Sequence, residues 1–154
     1  MSTTGLDTFD TTVHETNHWL KTVMAELETD NRRMAYAATR AALHALRDRI
    51  SLGAAVHLGA QLPMLLRGVY YEGWKAPSKP TRERHADEFL DHVASLLPRN
   101  SDVEPDEALH ATFVAMTKCM DEGEVAKFLK MLPHEIRSIL LGYVPQVQQP
   151  EARQ

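Results

Sequence analysis

A displacement of 70 residues lays the second half of the chain on the first without a gap, and this internal register constrains the fold more than any other feature of the sequence. Between positions 11 and 67, eleven residues are identical to the residue 70 positions on, among them Leu20/Leu90, Val23/Val93, Ala41/Ala111, Ala45/Ala115, Pro63/Pro133 and Arg67/Arg137. Chance matching in such a composition gives about four. Where residues differ, apolar character stays in phase: Trp19 aligns with Phe89, Leu43 with Phe113, Leu46 with Met116, Leu58 with Phe128 and Leu66 with Ile136. The chain is therefore expected to form two similar halves, 9–72 and 81–144, joined by a linker at 73–80 and followed by a disordered tail at 145–154. A half of about 60 residues makes a marginal core alone, so the halves are expected to pack into one unit.

Each half reads as four helices, and the fold class is all-α. Phe9, Val13, Leu20, Val23, Met24 and Leu27 recur at helical spacing and predict a first helix over 9–27, with a partner over 82–97. The second helix, 32–49 and 105–120, carries Ala38, Ala41 and Ala45 in one half and Ala108, Ala111 and Ala115 in the other. Small side chains at that spacing let helix backbones approach closely, which places this helix at the centre of its half. A short third helix spans 52–61 and 122–131; Ser51 suits its N-cap in the first half, and Asp121 followed by Glu124 suits it in the second. Pro63 and Pro133 suit the first turn of a fourth helix, where proline has no needed amide hydrogen to lose. No alternating apolar stretch suggests a strand.

The stretch Ala45-Leu46-Arg47-Asp48-Arg49-Ile50, followed by Gly59-Ala60-Gln61-Leu62-Pro63-Met64-Leu65-Leu66-Arg67-Gly68-Val69-Tyr70-Tyr71-Glu72-Gly73-Trp74, resembles the bacterial family known as domain of unknown function 2267. The resemblance covers about residues 10–145 and is more specific in the first half. It implies a small helical bacterial protein of two similar halves, and it implies no reaction, cofactor or catalytic residue.

Seventeen Lys and Arg against 21 Asp and Glu give a net charge of −4, which argues against general nucleic-acid binding. No apolar run reaches the roughly 18 residues of a membrane span, and the polar start lacks the apolar core of a signal peptide. With a single cysteine, Cys119, no internal disulfide can form. The expectation is a cytoplasmic protein without membrane contact.

His14-Glu15-Thr16-Asn17-His18 matches the pattern in which two imidazoles one helical turn apart bind zinc and the glutamate between them polarises a water. The apolar stripe of the same helix centres nearly opposite, so the pair is expected to face water, and no third ligand stands in a convincing position. The remaining histidines, at 44, 57, 85, 92, 110 and 134, are expected to be solvated or at the core edge, and Cys119 to be a buried inert thiol. Lys75, Lys79, Arg82 and Arg84 form a local basic cluster expected to be a solvated linker. The most distinctive patch is Arg67, Tyr70, Tyr71, Glu72 and Trp74, which holds three of the ten aromatic residues within five positions, where the second half has Leu140, Leu141, Gly142 and Val144. Tyr, Trp and Arg are the residues that anchor interfaces. Function therefore reads as binding without chemistry or cofactor, through the groove between the halves or this patch, to a protein partner, a second copy or a small apolar ligand. The alternative is a metal-dependent hydrolase using His14, Glu15 and His18.

Overall fold

The computed structural model of the chain describes residues 2–143, so the tail expected at 145–154 lies outside the described residues. Those residues form eight α-helices and no strand. In order they are α1 (Asp7–Glu26), α2 (Arg32–Arg49), α3 (Leu52–Ala60), α4 (Met64–Tyr71), α5 (Ala86–Leu96), α6 (Pro105–Cys119), α7 (Glu122–Lys130) and α8 (His134–Leu140). A short 3-10 turn, Ala76–Ser78, lies in the connection between α4 and α5. No helix among the described residues is long and apolar enough to cross a membrane.

The α2 and α6 helices pack on each other more extensively than any other pair, and α1 and α5 each lie across both of them. The short α3 and α4 complete the surface of α2, and α7 and α8 that of α6. Ala38, Ala41, Ala42 and Ala45 of α2 and Ala108, Ala111 and Ala115 of α6 are all fully buried, as close approach of two helix backbones requires. One core draws on both halves: Trp19, Val23, Leu46 and Leu66 are buried in the same cluster as Phe89, Val93, Met116 and Ile136.

The short helices are set by their caps. The Ser51 hydroxyl accepts from the Ala54 amide at 3.2 Å, and the Asp121 carboxylate accepts from the Glu124 amide at 3.2 Å. Pro63 and Pro133 stand one position before the first helical residue, with φ of −54° and −56°, which corrects their placement inside the first turn.

Two boundaries or faces depart from the periodic pattern. The inward face of α1 is Thr12, Thr16, Trp19, Leu20, Thr22 and Val23, while Phe9 stays 49% exposed. The stripe is rotated because the Thr12 hydroxyl has a task inside: it accepts from the Leu65 amide at 2.8 Å, one of the unpaired donors in the first turn of α4. The α5 helix begins at Ala86 and not near residue 82, because residues 81–83 are strapped to the end of α2. There the Thr81 amide donates to the Asp48 carbonyl at 2.8 Å and Arg49 Nε to the Glu83 carbonyl at 2.5 Å.

Because the α2 and α6 alanines are fully buried in the shared core, replacing Ala111 by Leu is expected to cost about 1–3 kcal/mol through forced repacking. Urea denaturation measures this; an unchanged midpoint would mean that the two central helices are not in close contact.

Candidate functional site

At the seam between the halves, the last turn of α2 carries two buried charges, Arg47 and Asp48, with side chains only 4% and 9% exposed. Arg47 Nε donates to Asp48 Oδ1 at 2.8 Å, and Arg47 Nη1 donates to the carbonyls of Tyr70 at 2.7 Å and Glu72 at 3.0 Å. These two carbonyls lie at the C-terminal end of α4, where the helix itself supplies no donors. His44, one turn earlier on α2, is also buried and donates from Nε2 to the Val69 carbonyl at 2.7 Å. Burial holds its imidazole below the ordinary range, partly offset by that hydrogen bond and reinforced by the neighbouring Arg47 and Arg40 charges.

Lys79 and His92 approach the same carboxylate, each with a nitrogen 3.9 Å from Asp48 Oδ2, and His92 Nδ1 lies 3.3 Å from Glu83 Oε2. The Lys79 side chain is only 18% exposed, so the basic linker is not uniformly solvated: this member turns inward. An open basin of about 280 Å³ results, its wall including Arg40, Arg47, Asp48, Glu72, Lys75 and Lys79. From the sequence Arg47 and Asp48 look like solvated charges; the signal of their burial is their place among Ala45, Leu46 and Ile50, all buried, at the end of α2.

The aromatic patch begins where this seam ends. Tyr70 is fully buried, its hydroxyl donating to the Ala55 carbonyl at 2.7 Å, and burial pushes its phenol far above the ordinary range. Arg67 is turned back onto α3, donating to the Gly59 carbonyl at 2.9 Å and the Leu62 carbonyl at 3.0 Å. Its aligned residue Arg137 makes the corresponding bond to Leu132, also at 3.0 Å. Glu72 accepts from Nε and Nη2 of Arg40 at 3.2 and 3.1 Å. Tyr71 and Trp74 are half-buried, their ring centroids 5.5 Å apart, and Tyr70 meets Tyr71 edge-on at 5.0 Å. The Tyr71 ring lies directly over Gly59, where a Cβ would collide with it. Gly73, at φ 69°, makes the turn that brings Trp74 back to Tyr71.

His14, Glu15 and His18 are exposed. They also rim an open cleft with Gln61, Pro63 and Cys119, a neighbourhood that the helix face alone did not reveal. Cys119 is partly buried, and burial with the nearby Glu15 charge raises its thiol. Among the described residues no three His, Cys, Asp or Glu side chains are grouped to hold a metal ion. Of the other histidines, His134 is exposed, and three more are tied to the fold. His110 bonds the Leu140 carbonyl, His57 pairs with Glu124 across the halves, and His85 pairs with Glu135, which also accepts from the Ala86 amide at the start of α5.

Taken together, these features define a small all-α protein in which both halves share one core, with a buried ionic seam and an adjoining aromatic face. The chain belongs to the family described as an uncharacterised conserved protein (DUF2267), whose model matches residues 16–139. No curated protein matches the chain.

Arg47→Ala removes the only hydrogen bond to the Asp48 carboxylate among the described residues, leaving it Lys79 and His92 at 3.9 Å, and strips two helix-end carbonyls of their side-chain donor; the expected loss is about 3–5 kcal/mol in chemical denaturation. A loss under about 1 kcal/mol would mean that water reaches these groups. A second expectation concerns acid. Because the folded protein holds His44 below its ordinary pKa of about 6.5, the unfolded chain binds the proton first, so stability is full above that pH and declines as pH falls toward the lowered value. His44→Gln keeps a donor for Val69 and removes the titration, so its stability profile should be flatter than that of the parent below about pH 6.5. Parallel profiles would assign the acid sensitivity to other groups.

Proposed function

We propose that the protein acts by binding, without chemistry of its own, and that its contact surface is the Tyr71 and Trp74 face at the end of the first half. The observation that carries this reading is the pair of rings 5.5 Å apart, left half-exposed on a segment whose other side chains are fixed within the chain. Arg67 ties α4 to α3, Glu72 ties it to α2, and Tyr70 anchors it in the core. A rigid aromatic pair loses little conformational freedom on association and can dominate an interface's energy. The partner is a protein surface or a second copy of the chain, with a small apolar ligand as the smaller-scale variant. The protein is read as a cytoplasmic one.

The second reading, a metal-dependent hydrolase, is favoured by the cleft that His14, Glu15 and His18 share with Cys119. Two imidazoles one turn apart bind a transition metal weakly, and hydrolysis needs a third ligand and an open coordination position. Metal analysis of tag-free protein separates the two. One tightly held zinc per chain, lost on replacing both histidines by alanine, would favour the hydrolase.

For the binding reading, Tyr70→Ala is expected to cost about 3–5 kcal/mol as a core truncation, and the Tyr71→Ala/Trp74→Ala double variant to cost less. Only the double variant should then weaken self-association in sedimentation or partner capture at unchanged fold. A double variant that melts as low as Tyr70→Ala while association is untouched would make the face structural.

A further inference from the structure

The basin beside Arg47 holds more positive charge than the seam uses. Four cationic side chains, Arg40, Arg47, Lys75 and Lys79, face two carboxylates, Asp48 and Glu72, a local excess of two positive charges in a chain whose net charge is −4. Both carboxylates are already engaged: Asp48 Oδ1 accepts from Arg47 Nε, and Glu72 accepts from Arg40. The Lys79 ammonium is 3.9 Å from its nearest carboxylate oxygen, beyond hydrogen-bond reach, although its side chain is only 18% exposed. Among the described residues it has no hydrogen-bond acceptor, and Arg47 Nη2 likewise bonds to no protein group while Nε and Nη1 are both satisfied. An ammonium and one arm of a guanidinium thus have no protein acceptor at the wall of an open cavity, where solvent reaches both. That arrangement costs free energy unless an anion or water supplies the missing oxygens.

We propose that this basin binds a small phosphate-bearing anion, inorganic phosphate or a phosphate monoester, through Arg40, Arg47, Lys75 and Lys79. A phosphate dianion matches the excess of two charges, and its tetrahedral oxygens accept donors arriving from several directions, which a planar carboxylate does less well. The cavity, about 280 Å³, sits at the small end of ligand sites and admits a phosphate group with a short substituent and little more. The second half has no equivalent: Arg47 and Asp48 align with Thr117 and Lys118, both exposed, and Glu72 aligns with Gly142. The site adjoins the proposed Tyr71 and Trp74 contact surface, since Glu72, Gly73 and Lys75 of the same segment line it, but it uses the charged side chains and not the rings, so the phosphate titration tests it separately.

The test is calorimetric titration of the full chain with inorganic phosphate at constant ionic strength, with glycerol phosphate, acetate and chloride in parallel. Saturable one-to-one binding of phosphate or of glycerol phosphate is expected, the tighter of the two naming the source, with acetate and chloride inert. Lys79→Ala should weaken it at least tenfold, about 1.4 kcal/mol, and Lys79→Arg should restore most of it. Lys75→Ala, on an exposed side chain, reports on the same site should Lys79→Ala fail to fold, and Lys130→Ala, remote from it, should change nothing. No saturable heat up to about 10 mM phosphate, or binding that survives undiminished in both Lys79→Ala and Lys75→Ala, would overturn the proposal.

Discussion

Short helices are costly to bury at their ends, and the fold depends on how those ends are satisfied. An α-helix leaves its last four carbonyls without intrahelical donors, so in helices of seven to nine residues such as α3, α4, α7 and α8 about half of the acceptors need another partner. Basic side chains supply many of them. Arg47 and His44 close the end of α4, Arg67 closes α3, and His110 reaches the last carbonyl of α8, while Arg137 bonds Leu132 in the turn between α7 and α8. Arg47 is the central member, because it joins α2 to α4 and at the same time neutralises Asp48, whose own carbonyl holds the strap leading to α5. A single buried guanidinium therefore couples the end of the first half to the start of the second.

That coupling also explains why two halves of similar pattern differ in surface. The first helix of each half packs across the α2 and α6 pair, so the core is shared. The connection from α4 to α5, in contrast, occurs once, and it passes the last turn of α2. The ionic seam, the basin beside it and the aromatic pair at Tyr71 and Trp74 all belong to that single crossing. The proposed contact surface lies there too: the crossing presents donors and rings to solvent, whereas the shared core turns its side chains inward.

Much of the fold was legible in the chain. The phase of apolar positions located every helix, and Ser51 and Asp121 marked the starts of α3 and α7 because their short side chains cap an amide three residues on. Tyr70 is fully buried, as helical periodicity from the buried Leu66 four positions earlier requires. The inward face of α1 departs from the apolar stripe because Thr12 and Thr16 count as polar by composition; Thr12 is buried with its hydroxyl accepting from the Leu65 amide, whereas the Thr16 hydroxyl is buried with no partner among the described residues. His14 and His18 read correctly as exposed, yet Cys119 beside their cleft comes from a helix a hundred residues away, which no local pattern reports.

By itself, then, the sequence determined the all-α class, the order and extents of most helices, and the small-residue faces of α2 and α6, because these follow from periodicity and steric size within a few turns of chain. Only the tertiary structure decided what the charged residues do. Arg47, Asp48 and Lys79 are ordinary hydrophilic letters until α4, the connection and α5 close over them. Whether a charge is solvated, paired or left with free donors depends on which distant oxygens surround it, and that is a property of packing and not of spacing along the chain.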